Sequence, residues 1–95
     1  MIGMLDYTFI REFIFFINNS HNSSGPTEKE TLIFATRCGI GKHELGYVEV
    51  LLFEAAFITH KPSCIENRFV NLTPGVLTPA GKNALLLNQR LLEVD

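Results

Sequence analysis

The sequence has no tryptophan, only two cysteines and four prolines, and few charges, with Asp, Glu, Lys and Arg making up 19% of it. Cys38 and Cys64 stand far apart, with no CxxC pair and no close histidine pair. A structural zinc site takes about four ligands at short paired spacings, so no metal is expected. The two thiols are expected to be buried or idle rather than part of a disulfide framework. Cations are scarce: eight Lys and Arg stand against ten Asp and Glu, a net charge of −2. That balance excludes a generally basic nucleic-acid coat. Long apolar runs are missing too. Residues 1–18 are apolar but interrupted by Asp6, Arg11 and Glu12. They lack the basic start and small-residue cleavage site of a secretory signal. No run reaches the roughly 18 apolar residues of a membrane span, so a cytoplasmic protein that avoids membranes is expected.

What is present is enough for a core. Hydrophobic residues make up 46% of the chain and mean hydropathy is +0.18, which excludes intrinsic disorder. A chain of 95 residues buries about 65% of its extended surface on folding, so residues 1–95 are expected to form a single domain.

Element signals follow along the chain. Leu5, Phe9, Ile10, Phe13, Ile14, Phe16 and Ile17 recur at helical spacing and predict a first helix over Leu5–Asn18, with Phe15 widening its apolar face. The polar stretch from Asn18 to Pro26, which holds His21, reads as a surface loop. Thr27-Glu28-Lys29-Glu30 is a capping box that opens a second helix, and Gly39 is placed to end it. A third helix is predicted from Glu44 to about Phe57, with Leu45, Val48, Leu52, Ala55 and Ala56 on one face. Its opposite face carries His43, Tyr47, Val50 and Glu54, with Phe53 at the margin. Phe57-Ile58-Thr59 and Arg68 to Thr73 favour strand and could pair as a hairpin across a loop from Lys61 to Asn67. Thr78 as N-cap and Pro79 at the first helical position start a last helix, running to about Glu93.

Helix, loop, capped helix, tight turn, helix, hairpin, helix is the element order of the winged-helix fold. The segment Leu72 to Leu85, and within it Leu77-Thr78-Pro79-Ala80-Gly81, resembles the wing exit of bacterial and phage winged-helix proteins. The resemblance covers most of the chain in element order. It implies an α+β, mainly α, winged-helix-like fold: a three-helix core, a small β-hairpin and a C-terminal helix. It further implies that the third helix enters the DNA major groove while the wing touches backbone.

The charges point elsewhere. Reading DNA takes donors for base edges and cations for phosphates, whereas the third helix offers Glu44, Glu49 and Glu54, which phosphates repel. The outer face of that helix is either buried all round or an exposed patch that binds protein. The first expectation for function is therefore a non-enzymatic protein-binding module using Tyr47, Val50, Phe53 and Glu54. Its size and resemblance would suit a phage or mobile-element accessory factor, for instance one that inhibits a host complex. The alternative is a DNA-binding regulator using helix 44–57 and the 61–68 wing, with Lys42, His43, Lys61 and Arg68 on phosphates. A homodimer is expected through Leu85, Leu87, Leu91 and Leu92 of the last helix, with Phe9, Phe13, Phe15 and Phe16 able to join. No catalytic motif is present, and His43 and His60 flank the third helix too far apart for joint ligation, so neither enzyme activity nor a cofactor is expected.

Overall fold

The computed structural model describes the backbone of residues 7–94 and the side chains of residues 8–86. Four helices and one hairpin follow in the order α1 (Tyr7–Asn18), α2 (Glu28–Arg37), α3 (Lys42–Glu54), β1 (Ser63–Ile65), β2 (Arg68–Val70) and α4 (Pro79–Val94). The fold is thus α+β and mainly α, as expected. The predicted start of the first helix at Leu5 lies outside the described residues.

Local chemistry accounts for most boundaries. The Thr27 hydroxyl accepts the Glu30 N–H at 3.1 Å while the Glu30 carboxylate accepts the Thr27 N–H at 2.9 Å, so the capping box is complete. The same device starts α3 in half form: the Glu44 carboxylate accepts the Gly41 N–H at 3.1 Å, and Gly41 has no side chain to return the bond. Thr78 accepts the Gly81 N–H at 3.1 Å, so α4 begins with Thr as N-cap and Pro at the first position. The Thr78 hydroxyl also donates to the Ala56 carbonyl, tying the start of α4 to the end of α3. At the end of α2, Gly39 is left-handed (φ +76°). Its N–H reaches the Thr36 carbonyl and the Ile40 N–H reaches that of Ala35, a Schellman closure.

The third helix and the hairpin differ from the sequence reading, and α3 begins at Lys42 rather than Glu44. The third helix stops at Glu54, three residues early, in a second Schellman closure. Ala56 takes φ +65°, its N–H bonds the Phe53 carbonyl, and the Phe57 N–H bonds that of Leu52. Ala55 and Ala56 are consequently exposed rather than on the core face. The hairpin also differs from the predicted pairing of Phe57-Ile58-Thr59 with Arg68 to Thr73: its first strand lies inside the predicted 61–67 loop. Ser63, Cys64 and Ile65 face Val70, Phe69 and Arg68 across a two-residue turn, Glu66-Asn67, with φ +50° and +63°. Both positive angles give the twist of a type I′ turn. Phe57-Ile58-Thr59 pairs instead with residues 76–78, through an Ile58–Leu77 bridge and the bonds Thr59 N–H to Val76 and Thr78 N–H to Phe57.

The core gathers Phe9, Phe13, Ile14 and Ile17 of α1, Ala35 of α2, Leu45, Val48 and Leu52 of α3, Ile58, Leu72 and Leu77 of the connections, and Leu85 of α4. Phe9, Phe13, Phe16 and Phe34 stack in a chain of rings, with Phe16 and Phe34 only 4.4 Å apart. This packing overturns part of the dimer assignment. Leu85 is 6% exposed and Phe9 and Phe13 are buried, because α4 packs on α1 within the chain. Among the described residues, Phe15 and Leu86 are the exposed large hydrophobic side chains of those helices. The side chains of Leu87, Leu91 and Leu92 lie outside the described residues. Cys38 and Cys64 are both exposed and form no disulfide; of the two expected states, buried or idle, burial does not hold.

Candidate functional site

Helix α3 carries both sets of residues singled out in the sequence, and its two sides differ in character. Leu45, Val48, Glu49 and Leu52 are buried; these are positions i, i+3, i+4 and i+7, one stripe of a helix. The outer side presents Tyr47 at 57% exposure and Phe53 at 36%. Glu54 is exposed between them in angle and Val50 is half-buried. The outer face is therefore open rather than enclosed. The Lys61 ammonium sits 5.3 Å from the centroid of the Phe53 ring, a cation–π contact that fixes one edge of the apolar face.

The hairpin closes the other edge. Gly46 is buried because the Phe69 ring lies directly on it, and a Cβ there would run into the ring and its Cβ. The Phe69 ring also stands 5.3 Å from that of His43. With the hairpin so seated, Lys42 and His43 from the first turn of α3, Asn67 from the turn, and Arg68 and Phe69 from β2 line a cavity of about 410 Å³. The first N–H groups of a helix have no intrahelical acceptor and carry its positive end. Side-chain cations and helix dipole thus share one sign here.

The predicted residues regroup accordingly. Lys42, His43 and Arg68 come together, whereas Lys61 goes with Phe53. Tyr47, Phe53 and Glu54 share the open face, with Val50 partly covered. Gly46, Asn67 and Phe69 were not singled out in the sequence. Only Gly46 carries a signal there, as a glycine inside a helix, where it costs helix propensity unless something packs against it.

Glu49 departs furthest from expectation. The sequence reading counted it with Glu44 and Glu54 among the acids that repel DNA, yet it is 0% exposed, on the core stripe. Neither carboxylate oxygen has a hydrogen-bond partner among the described residues. Burial, and secondarily the nearby charge of Glu28, push its pKa up to about 8. Glu28 itself accepts the Leu72 N–H at 3.0 Å, so one acid anchors the chain leaving the hairpin while its neighbour is buried as a neutral group. The acids left exposed on α3 are Glu44 and Glu54.

His21 is exposed in its loop, and among the described residues the His60 ring bonds its neighbour, with Thr59 Oγ1 2.9 Å from His60 Nδ1. Among the described residues no three His, Cys, Asp or Glu side chains gather as a metal-binding group, and no helix is long and apolar enough to cross a membrane. No protein-family model, curated protein or solved structure matches the chain.

Proposed function

We propose that the chain is a non-enzymatic binding module that docks a protein partner on the outer face of α3, through Tyr47, Phe53 and Glu54 with Val50 beneath them. The observation that carries this is the exposure of Tyr47 and Phe53, at 57% and 36%, on one open helix face with an acid at its rim. Interfaces enrich aromatic anchors at their centre and charges at the edge. The winged-helix resemblance, the small size and the absence of a basic coat fit a cytoplasmic accessory factor of phage or mobile-element type, one that acts by occupying a partner. A homodimer is part of the proposal, with the exposed Leu86 of α4 as its contact.

A specific observation favours a second reading. Lys42, His43 and Arg68, with Asn67, line one cavity at the start of α3, an arrangement suited to a phosphate of duplex DNA. Three phosphate contacts give weak, steeply salt-dependent affinity. Titration of labelled random duplex at about 50 mM salt separates the two readings. Binding that falls with salt and is lost in Lys42→Glu plus Arg68→Glu would replace the protein-partner reading. Absence of DNA binding, with partner capture abolished by Tyr47→Ala or Phe53→Ala in a chain that stays folded, is the expected result.

A further inference from the structure

The end of α1, the loop after it and one side of α2 (Glu30 and Phe34) line a cleft of about 350 Å³ that shares no residue with α3 or the hairpin. Its apolar lining is aromatic: Phe15, which is 39% exposed, and the stacked pair Phe16 and Phe34. Two carboxylates, Glu12 and Glu30, stand at its edge. Neither is paired with a lysine or arginine among the described residues. Glu30 spends one oxygen on the Thr27 and Asn22 N–H groups but keeps its charge. The last turn of α1, which runs beside the cleft, contains no basic residue, so the negative end of that helix is not offset locally. Aromatic faces are negative as well. Two carboxylates, a helix C-terminus and ring faces thus converge on one concavity, and the groups of opposite character at its lining are the His21 imidazole and the first turn of α2, whose positive end already meets Glu30 through the capping box.

We propose that this cleft receives a cationic side chain, the guanidinium of an arginine presented by a protein partner. A planar guanidinium stacks on aromatic rings while its fork of N–H groups reaches carboxylates, and the cleft offers both at one place. An apolar occupant would leave the carboxylates buried against it without compensation, and an anion would have to approach both Glu12 and Glu30.

The test is an amide chemical-shift titration of the whole chain with two small probes, N-acetyl-arginine methylamide and its neutral isostere N-acetyl-citrulline methylamide. The arginine probe is expected to give saturable millimolar shifts confined to residues 12–21 and 27–34, with the citrulline probe about tenfold weaker. Glu30→Gln removes the charge yet preserves the capping box, which accepts Gln as readily as Glu, and Glu12→Gln is a surface change. The double variant is expected to keep its circular dichroism and to lose about tenfold in affinity for the arginine probe only. The proposal is overturned by the absence of saturable shifts up to about 50 mM probe, by equal shifts from both probes, by affinity unchanged in the double variant, or by shifts centred elsewhere on the molecule. These readouts involve neither Tyr47 and Phe53 nor Arg68, so their outcome is independent of the function proposed for α3.

Discussion

At the scale of single residues, Glu49 is the group whose burial has the largest consequence. The ordinary value for its carboxyl is 4.5 and the folded value is about 8. Between those limits the folded chain holds a proton that the unfolded chain has released. Stability therefore falls as pH rises through that window, by at most about 1.4 kcal/mol per unit. The contribution is fully present below pH 4.5, is progressively lost on approaching pH 8 and stays absent above it. Urea unfolding is expected to show a higher midpoint at pH 5.5 than at pH 8, with a difference on the order of a few kcal/mol. Glu49→Gln should remove most of that slope and raise the midpoint at pH 8, because a neutral amide costs far less to bury than a carboxylate. Equal midpoints at the two pH values would show that Glu49 is solvated in solution. The position of Glu49 was readable: four residues after Leu45 and three before Leu52, it continues the core stripe. Its charge pointed outward, and periodicity prevailed over charge because the helix cannot turn one residue out of its own face.

Elements differ in how locally they are specified. The starts of α2 and α4 and the end of α2 were legible because Thr27, Thr78 and Gly39 act on backbone groups within a few residues. The end of α3 was not, since its left-handed position is filled by alanine rather than glycine. That substitution has a cost: a residue with a Cβ loses roughly 1 kcal/mol or more in this conformation relative to glycine. Ala56→Gly is accordingly expected to raise stability by about 1 kcal/mol, visible as an increase in melting temperature; no gain would mean that the bond from Thr78 already fixes the turn. The hairpin was misplaced for a related reason. Glu66-Asn67 adopts the left-handed angles of a two-residue turn without the glycine that advertises one, so the strands looked longer and further apart. What seats the hairpin is tertiary, the Phe69 ring on Gly46. Gly46→Ala gains helix propensity of about 1 kcal/mol but forces Phe69 off the helix, an overpacking that costs about 1–3 kcal/mol. A net loss of about 1 kcal/mol is expected, with faster amide exchange in residues 63–70 than in α3; a stabilised variant with an unmoved hairpin would contradict the packing described.

On the scale of the whole molecule, the small net charge of −2 conceals a division. Lys42, His43 and Arg68 meet at the start of α3, while Glu12 and Glu30 flank the cleft at the end of α1. Composition could state the sum but not this separation, which depends on how the hairpin and the first loop fold back. The same distinction between inventory and placement governs the leucines of α4. Leu85 and Leu86 are neighbours in sequence, yet one is 6% exposed and the other 56%. Truncating each should produce different failures. Leu85→Ala removes core volume and is expected to cost about 2–5 kcal/mol of stability. Leu86→Glu leaves the core intact and bears only on what covers the outer side of α4. Light scattering at tens of micromolar is expected to give twice the 10.7 kDa chain mass for the parent protein. For Leu86→Glu it should give the monomer mass with undiminished helix content, since a charge at a buried interface position is strongly disfavoured. A monomer mass for the parent would remove the dimer and leave Leu86 as a solitary surface apolar residue of an ordinary kind.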